Sequence, residues 1–131
     1  MDIDAAMKRI PPHSAEAEQA VLGAMLMNKE AVMVASEIIS GEDFYQTAYG
    51  ILFDAMVELF HKGKPIDLIT LQEHLKEKDV PPEVSSMEYA RDLLVGTQTS
   101  ANVKYYAEIV RDKATLRRLI KINEETANVC Y

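Results

Sequence analysis

Apolar residues recur along the chain at helical spacing, and turn residues divide them into six segments. Residues 1–10 hold few apolar groups that could anchor them and read as a mobile arm. Pro11 and Pro12 forbid helix at the entry. Ser14 is a good N-cap, with Glu16 and Glu18 in the first turn, where the positive helix end favours acids. Ala17, Val21, Ala24 and Met25 then follow on one face, widened by Leu22 and Leu26, and predict a helix over 15–27. Asn28 can cap a second helix over 29–39, carrying Val32, Ala35, Ile38 and Ile39, which a left-handed Gly41 would end. The widest apolar face is Tyr49, Leu52, Phe53, Met56, Leu59 and Phe60, on a helix over 46–61 that Gly63 stops before Pro65. Thr70 and Glu73 have capping-box spacing for a short fourth helix with Leu71 and Leu75 inward, and Pro81-Pro82 closes that unit. Ser85 and Glu88 repeat the spacing before a fifth helix that runs to about Val95, with Gly96 as its terminator. Pro65-Ile66-Asp67-Leu68-Ile69 is the one run that reads as briefly extended, too short to carry a sheet.

After the polar joint Thr97-Gln98-Thr99-Ser100, neither Gly nor Pro interrupts the chain from Ala101 to Tyr131. Such a helix would extend roughly 46 Å at 1.5 Å per residue. A globule of about 100 residues has a radius of gyration of only ~13 Å. Unless it kinks, the helix overruns the globule. Leu116, Leu119, Ile120, Ala127 and Cys130 still share one broad stripe there, and an apolar stripe beyond a globule calls for a partner. The chain ends without a cap, which suggests a fragment cut inside or just after a helix. The class is all-α: a head of about five helices over 11–100, then a long amphipathic helix over 101–131 that begins a hairpin.

Composition narrows the function. The 131 residues are 48% apolar and 27% charged, which suits a soluble globular domain. No apolar run could cross a bilayer and no leader pattern opens the chain. The single cysteine, Cys130, excludes an internal disulfide and makes a reducing cytoplasm the default compartment. The net charge is −7, yet residues 1–99 carry −9 and residues 100–131 carry +2. In that tail Arg111, Lys113, Arg117, Arg118 and Lys121 share half a helix. They form either a solvated face or a contact for an acidic protein or nucleic acid; without a reading motif the signal for DNA is weak.

Chemistry is absent from the pattern. His13, His61 and His74 share no metal-binding spacing, and the pairs Glu16/Glu18 and Glu124/Glu125 lie where capping or solvent explains them. Gly63-Lys64 is the only Gly-Lys dipeptide, and the flanking P-loop positions hold Glu58 and Pro65 instead of Gly and Ser or Thr. No catalytic, cofactor or metal site is expected within these residues.

Four blocks resemble a known family. Pro11-Pro12-His13-Ser14 followed by Glu16-Ala17-Glu18-Gln19-Ala20-Val21-Leu22-Gly23 resembles the opening of bacterial replicative DNA helicases of the DnaB type. Asp43-Phe44-Tyr45 with Ile51-Leu52-Phe53, then Gly63-Lys64-Pro65-Ile66-Asp67 with Thr70-Leu71, are similar to its next landmarks. Tyr106-Ala107-Glu108-Ile109-Val110-Arg111-Asp112-Lys113, with Arg117 or Arg118 beyond, matches the fourth. The chain departs from the family at Tyr49-Gly50, where a His-Arg pair is usual.

The resemblance implies an all-helical N-terminal domain of a hexameric, ATP-driven helicase. Its head leads into a helical hairpin, and its copies pair into a collar where primase docks. The motor that binds ATP, Mg and single-stranded DNA would follow in the native chain, and a helicase loader is a further implied partner. Within this reading Tyr106, Ile109, Leu116, Leu119 and Ile120 are the candidates for subunit packing. Arg111, Lys113, Arg117, Arg118 and Lys121 are the candidates for contact with an acidic neighbour or primase. Two other readings fit an acidic chain without chemistry: a stand-alone helical adaptor unrelated to any ATPase, and a small DNA-binding protein using the basic tail.

Overall fold

A computed structural model describes residues 9–97 and 99–131; the mobile arm expected over 1–10 falls almost wholly outside them. Among the described residues there are six α-helices and one 3-10 turn, and no strand, so the chain is all-α as its periodicity requires. The helices are α1 (Ala15–Met27), α2 (Lys29–Ile38), α3 (Thr47–His61), α4 (Leu68–Lys76), α5 (Met87–Val95) and α6 (Val103–Cys130), with the 3-10 turn at Gly41–Asp43.

Helix α1 runs through the centre. Val21, Leu22, Ala24 and Met25 are fully buried, and α2, α3, α5 and α6 all pack on it. A helix apolar on most sides has to be enclosed in this way. Ser14 begins it as expected, its hydroxyl accepting from the Ala17 N–H at 3.1 Å. Asn28 both ends α1 and caps α2, accepting from the Glu30 N–H at 2.9 Å. Phe53, Leu52, Met56 and Leu59 of α3 and Leu71 and Leu75 of α4 complete the core. Each such side chain contributes roughly 1.5–3 kcal/mol relative to exposure.

The end of α3 follows its sequence signal. Gly63, at φ 68°, takes the left-handed conformation. The N–H groups of Gly63 and Lys64 donate to the carbonyls of Phe60 and Leu59, both at 3.0 Å, which satisfies the helix end.

Several local expectations are corrected. Gly41 does not end α2 in a left-handed conformation; Ile39 ends it in extended backbone, and Gly41 opens the 3-10 turn. Carboxylates supply the stop instead. Asp43 accepts from the Ser40 N–H at 2.8 Å and Asp54 from the Gly41 N–H at 3.1 Å. Thr70 does not cap α4 with Glu73. Asp67 is the cap, and Thr70 is its reciprocal partner three residues on, at 2.8 and 3.0 Å. A carboxylate is a stronger acceptor for helix N–H groups than a hydroxyl, so α4 starts earlier and takes in Leu68 and Ile69, which are not extended. Ser85 does not cap α5 with Glu88; its hydroxyl donates to the Pro82 carbonyl at 3.1 Å, and Ser86 holds the cap position without a side-chain bond.

Helix α6 is unbroken over 28 residues, about 42 Å at 1.5 Å per residue. It begins two residues later than Ala101. Val103, Ala107, Val110 and Ala114 pack into the head, and every residue from Arg118 onward is exposed.

Candidate subunit and partner interface

The spacing of Val103, Ala107, Val110 and Ala114 fixes which side of α6 meets the head. At roughly 100° per residue, Ile109, Leu116, Leu119 and Ile120 then fall on the far side. Their exposures are 40%, 45%, 49% and 44%, and Ile122 at 56% extends the apolar surface. Tyr106 lies apart from them, half-buried against the core of the head. Four of the five packing candidates thus share an open face.

The basic candidates divide. Arg117 donates through Nη1 to the Pro12 carbonyl at 2.8 Å and through Nη2 to the Asp43 carbonyl at 2.7 Å. Arg118 pairs with the Asp43 carboxylate. The Arg117 guanidinium also lies 5.6 Å from the centre of the Tyr45 ring, on which His13 stacks at 4.0 Å. These two arginines fasten α6 to the entry segment and to the 3-10 turn, an internal use that their shared helix face did not reveal. Arg111 pairs with its neighbour Asp112 at 3.3 Å, while Lys113 is half-buried and Lys121 exposed.

Glu18 was expected to suit solvent and is instead 1% exposed. Its carboxylate accepts the N–H groups of Tyr45 and Gln46, at 3.0 and 3.2 Å, just where α3 begins. The overlooked signal is position: Glu18, Leu22 and Met25 lie at i, i+4 and i+7 on one buried face. His74 is likewise buried and bonds Glu58 at 2.7 Å; Glu58 also pairs with Lys78. His61 is exposed, as are Glu124, Glu125 and Cys130.

At Tyr49-Gly50 the structure gives each residue a task. A Cβ on Gly50 would lie 2.4 Å from the Gly41 carbonyl oxygen, so the missing side chain lets the 3-10 turn lie on α3. Tyr49 lines a cleft of about 540 Å³ between α1, α3, α5 and the start of α6. Its hydroxyl accepts from Gln19 Nε2 at 2.9 Å. Beside it, burial and the neighbouring Tyr49 push the Tyr89 hydroxyl up to about 12. Among the described residues no helix is long and apolar enough to cross a membrane, and no group of three or more His, Cys, Asp or Glu could hold a metal ion.

The family model for the DnaB-like helicase N terminal domain matches residues 10–112. The replicative DNA helicase DnaB of Geobacillus stearothermophilus is 45% identical over 124 residues, which are 95% of this chain and 27% of that protein. The chain spans about a quarter of the length of the curated relatives it matches. The crystal structure of the N-terminal domain of DnaB helicase from Mycobacterium tuberculosis is similar at a TM-score of 0.86 and 34% identity, covering 91% of this chain and 86% of that one. The N-terminal domain of DnaB helicase from Helicobacter pylori, described together with its interactions with primase, shares the fold at a TM-score of 0.74 and 18% identity, over 99% and 98% of the two chains.

Proposed function

Since this chain belongs to the DnaB-like helicase N-terminal domain family, we propose that it is the collar domain of a hexameric, ATP-dependent replicative DNA helicase. In this reading it assembles subunits and docks primase at the replication fork in the bacterial cytoplasm. ATP, Mg, single-stranded DNA and a helicase loader belong to the assembled parent. The observation that carries the proposal is the far side of α6, where Ile109, Leu116, Leu119 and Ile120 stand open on a helix fastened to the head by its other side.

The mechanism is geometric. The open stripe pairs with a following hairpin arm and with a neighbouring subunit, and the arginine clasp fixes the angle at which it is offered. These side chains are about half covered already, so burying each contributes roughly half of the 1.5–3 kcal/mol of a fully exposed Leu or Ile, enough in sum to hold helices together. The primase role is supported by the Helicobacter pylori domain, whose fold this chain shares and which is described with primase.

Light scattering tests assembly. Leu116→Asp with Leu119→Asp should lower the mass of the full-length ring while leaving the helical content of the head unchanged. An unchanged mass would refute the packing role. Titrating the full-length ring with the C-terminal domain of primase tests docking separately, and absence of binding would count against it. The adaptor reading predicts neither effect.

A further inference from the structure

The cleft bounded by α1, α3, α5 and the start of α6 shares no residue with the open stripe Ile109, Leu116, Leu119 and Ile120. Tyr49, Tyr89 and Tyr106 line it together with the carboxylate residues Glu16 and Asp92. The Tyr49 and Tyr89 rings lie 6.0 Å apart and are inclined at 46°, so their faces form a corner rather than a parallel stack. Gln19 holds the Tyr49 hydroxyl. Burial and the neighbouring Tyr49 hold the Tyr89 phenol up at about 12, so its ring is neutral at physiological pH. Glu16 and Asp92 are exposed, and neither is in an ion pair among the described residues. Around them residues 1–99 carry a net charge of −9.

Aromatic faces attract cations through their negative quadrupole, and carboxylates at the edge of the same cleft add direct charge. We infer that this cleft receives a guanidinium group, carried by a basic segment of a different protein. Guanidinium fits better than ammonium. It is planar and weakly hydrated, and it stacks on rings while its edge N–H groups donate to carboxylates. A second copy of this chain is a poorer source of guanidinium, because Arg117 and Arg118 are engaged by Pro12 and Asp43 and Arg111 pairs with Asp112. The site needs no ring assembly, so it stands or falls apart from the collar reading.

The test is an NMR titration of the isotope-labelled 131-residue chain in 0.15 M salt. The probes are a peptide of alternating glycine and arginine and the same peptide with neutral citrulline for arginine. The arginine peptide should shift the resonances of Glu16, Tyr49, Tyr89, Asp92 and Tyr106 saturably, and the citrulline peptide should not. Tyr106→Leu should weaken binding about 2- to 30-fold, the range for loss of one cation–ring contact. Glu16→Gln with Asp92→Asn changes only exposed carboxylates, so it keeps the test valid if the tyrosine variant unfolds; it should weaken binding at least as much. Equal shifts with citrulline, shifts spread evenly over the acidic head, or no effect of the double variant would overturn the inference. So would a concentration-dependent dimer that Asp92→Asn dissolves, which would assign the cleft to a second copy.

Discussion

Replacing Glu18 tests how one buried carboxylate organises the junction between α1 and the start of α3. It is 1% exposed and accepts two backbone N–H groups, those of Tyr45 and Gln46. A hydrogen bond to a charged group contributes about 1.5–3 kcal/mol, and a buried donor left without a partner costs about 1–3 kcal/mol. Glu18→Gln keeps one acceptor oxygen and turns an amide NH₂ toward the other donor, for an expected loss of about 1–2 kcal/mol. Glu18→Leu removes both acceptors but also the desolvation cost of the charge, for a loss of about 2–4 kcal/mol. Against a total stability of about 5–15 kcal/mol for a domain, either loss is measurable. Urea unfolding at pH 7, followed by circular dichroism, should show midpoints in the order wild type, Gln, Leu. With slopes of about 1–3 kcal/mol/M, the Leu variant should shift by roughly 1 M or more. Hydrogen exchange should quicken first at the Tyr45 and Gln46 amides. A Leu variant within about 0.5 kcal/mol of wild type, with those two amides still protected, would refute the assignment.

Two further outcomes follow from side-chain geometry. Glu58 is held below its ordinary 4.5, first by the hydrogen bond from Lys78 and also by His74, against an opposing desolvation. A depressed carboxyl contributes stability that is present above its unfolded pKa and is lost as pH falls through the lower folded value. Wild type should therefore lose urea resistance below about pH 4.5 more steeply than Lys78→Met, with the two curves converging in acid; parallel curves would remove Glu58 from the explanation. Gly50→Ala places a Cβ 2.4 Å from the Gly41 carbonyl oxygen. Because a Cβ cannot rotate away and its neighbour is a backbone carbonyl, the substitution should cost about 1–3 kcal/mol, read as a lower thermal midpoint; an unchanged midpoint would show that the turn can move away.

Helix positions and the buried face of each helix were largely legible in the residues, because 3.6-residue spacing reports directly on which side is enclosed. Ser14, Asn28 and Gly63 marked helix ends that the structure shares. Caps failed where two candidates competed. Asp67 took α4 from Thr70 because a carboxylate three residues earlier is the stronger acceptor, and at the end of α2 Asp54 reaches Gly41 from thirteen residues away, which local spacing cannot register. Glu18 was hidden for a related reason. Its role depends on amides 27 and 28 residues away. The interface candidates divide along the same line. Exposure of Leu116, Leu119 and Ile120 followed from helix length, whereas the engagement of Arg117 and Arg118 required knowing where Pro12 and Asp43 lie.

The clasp at Arg117 turns α6 into a lever with a fixed fulcrum. Beyond it thirteen helical residues project, about 20 Å at 1.5 Å each. A tilt of about 10° at the fulcrum moves the far end by roughly 3–4 Å, more than half the rise of one helical turn. Contacts at the tip therefore sense changes around Pro12, Asp43 and Tyr45 in magnified form. The few polar atoms of the clasp set the angular tolerance of whatever is built on the tip.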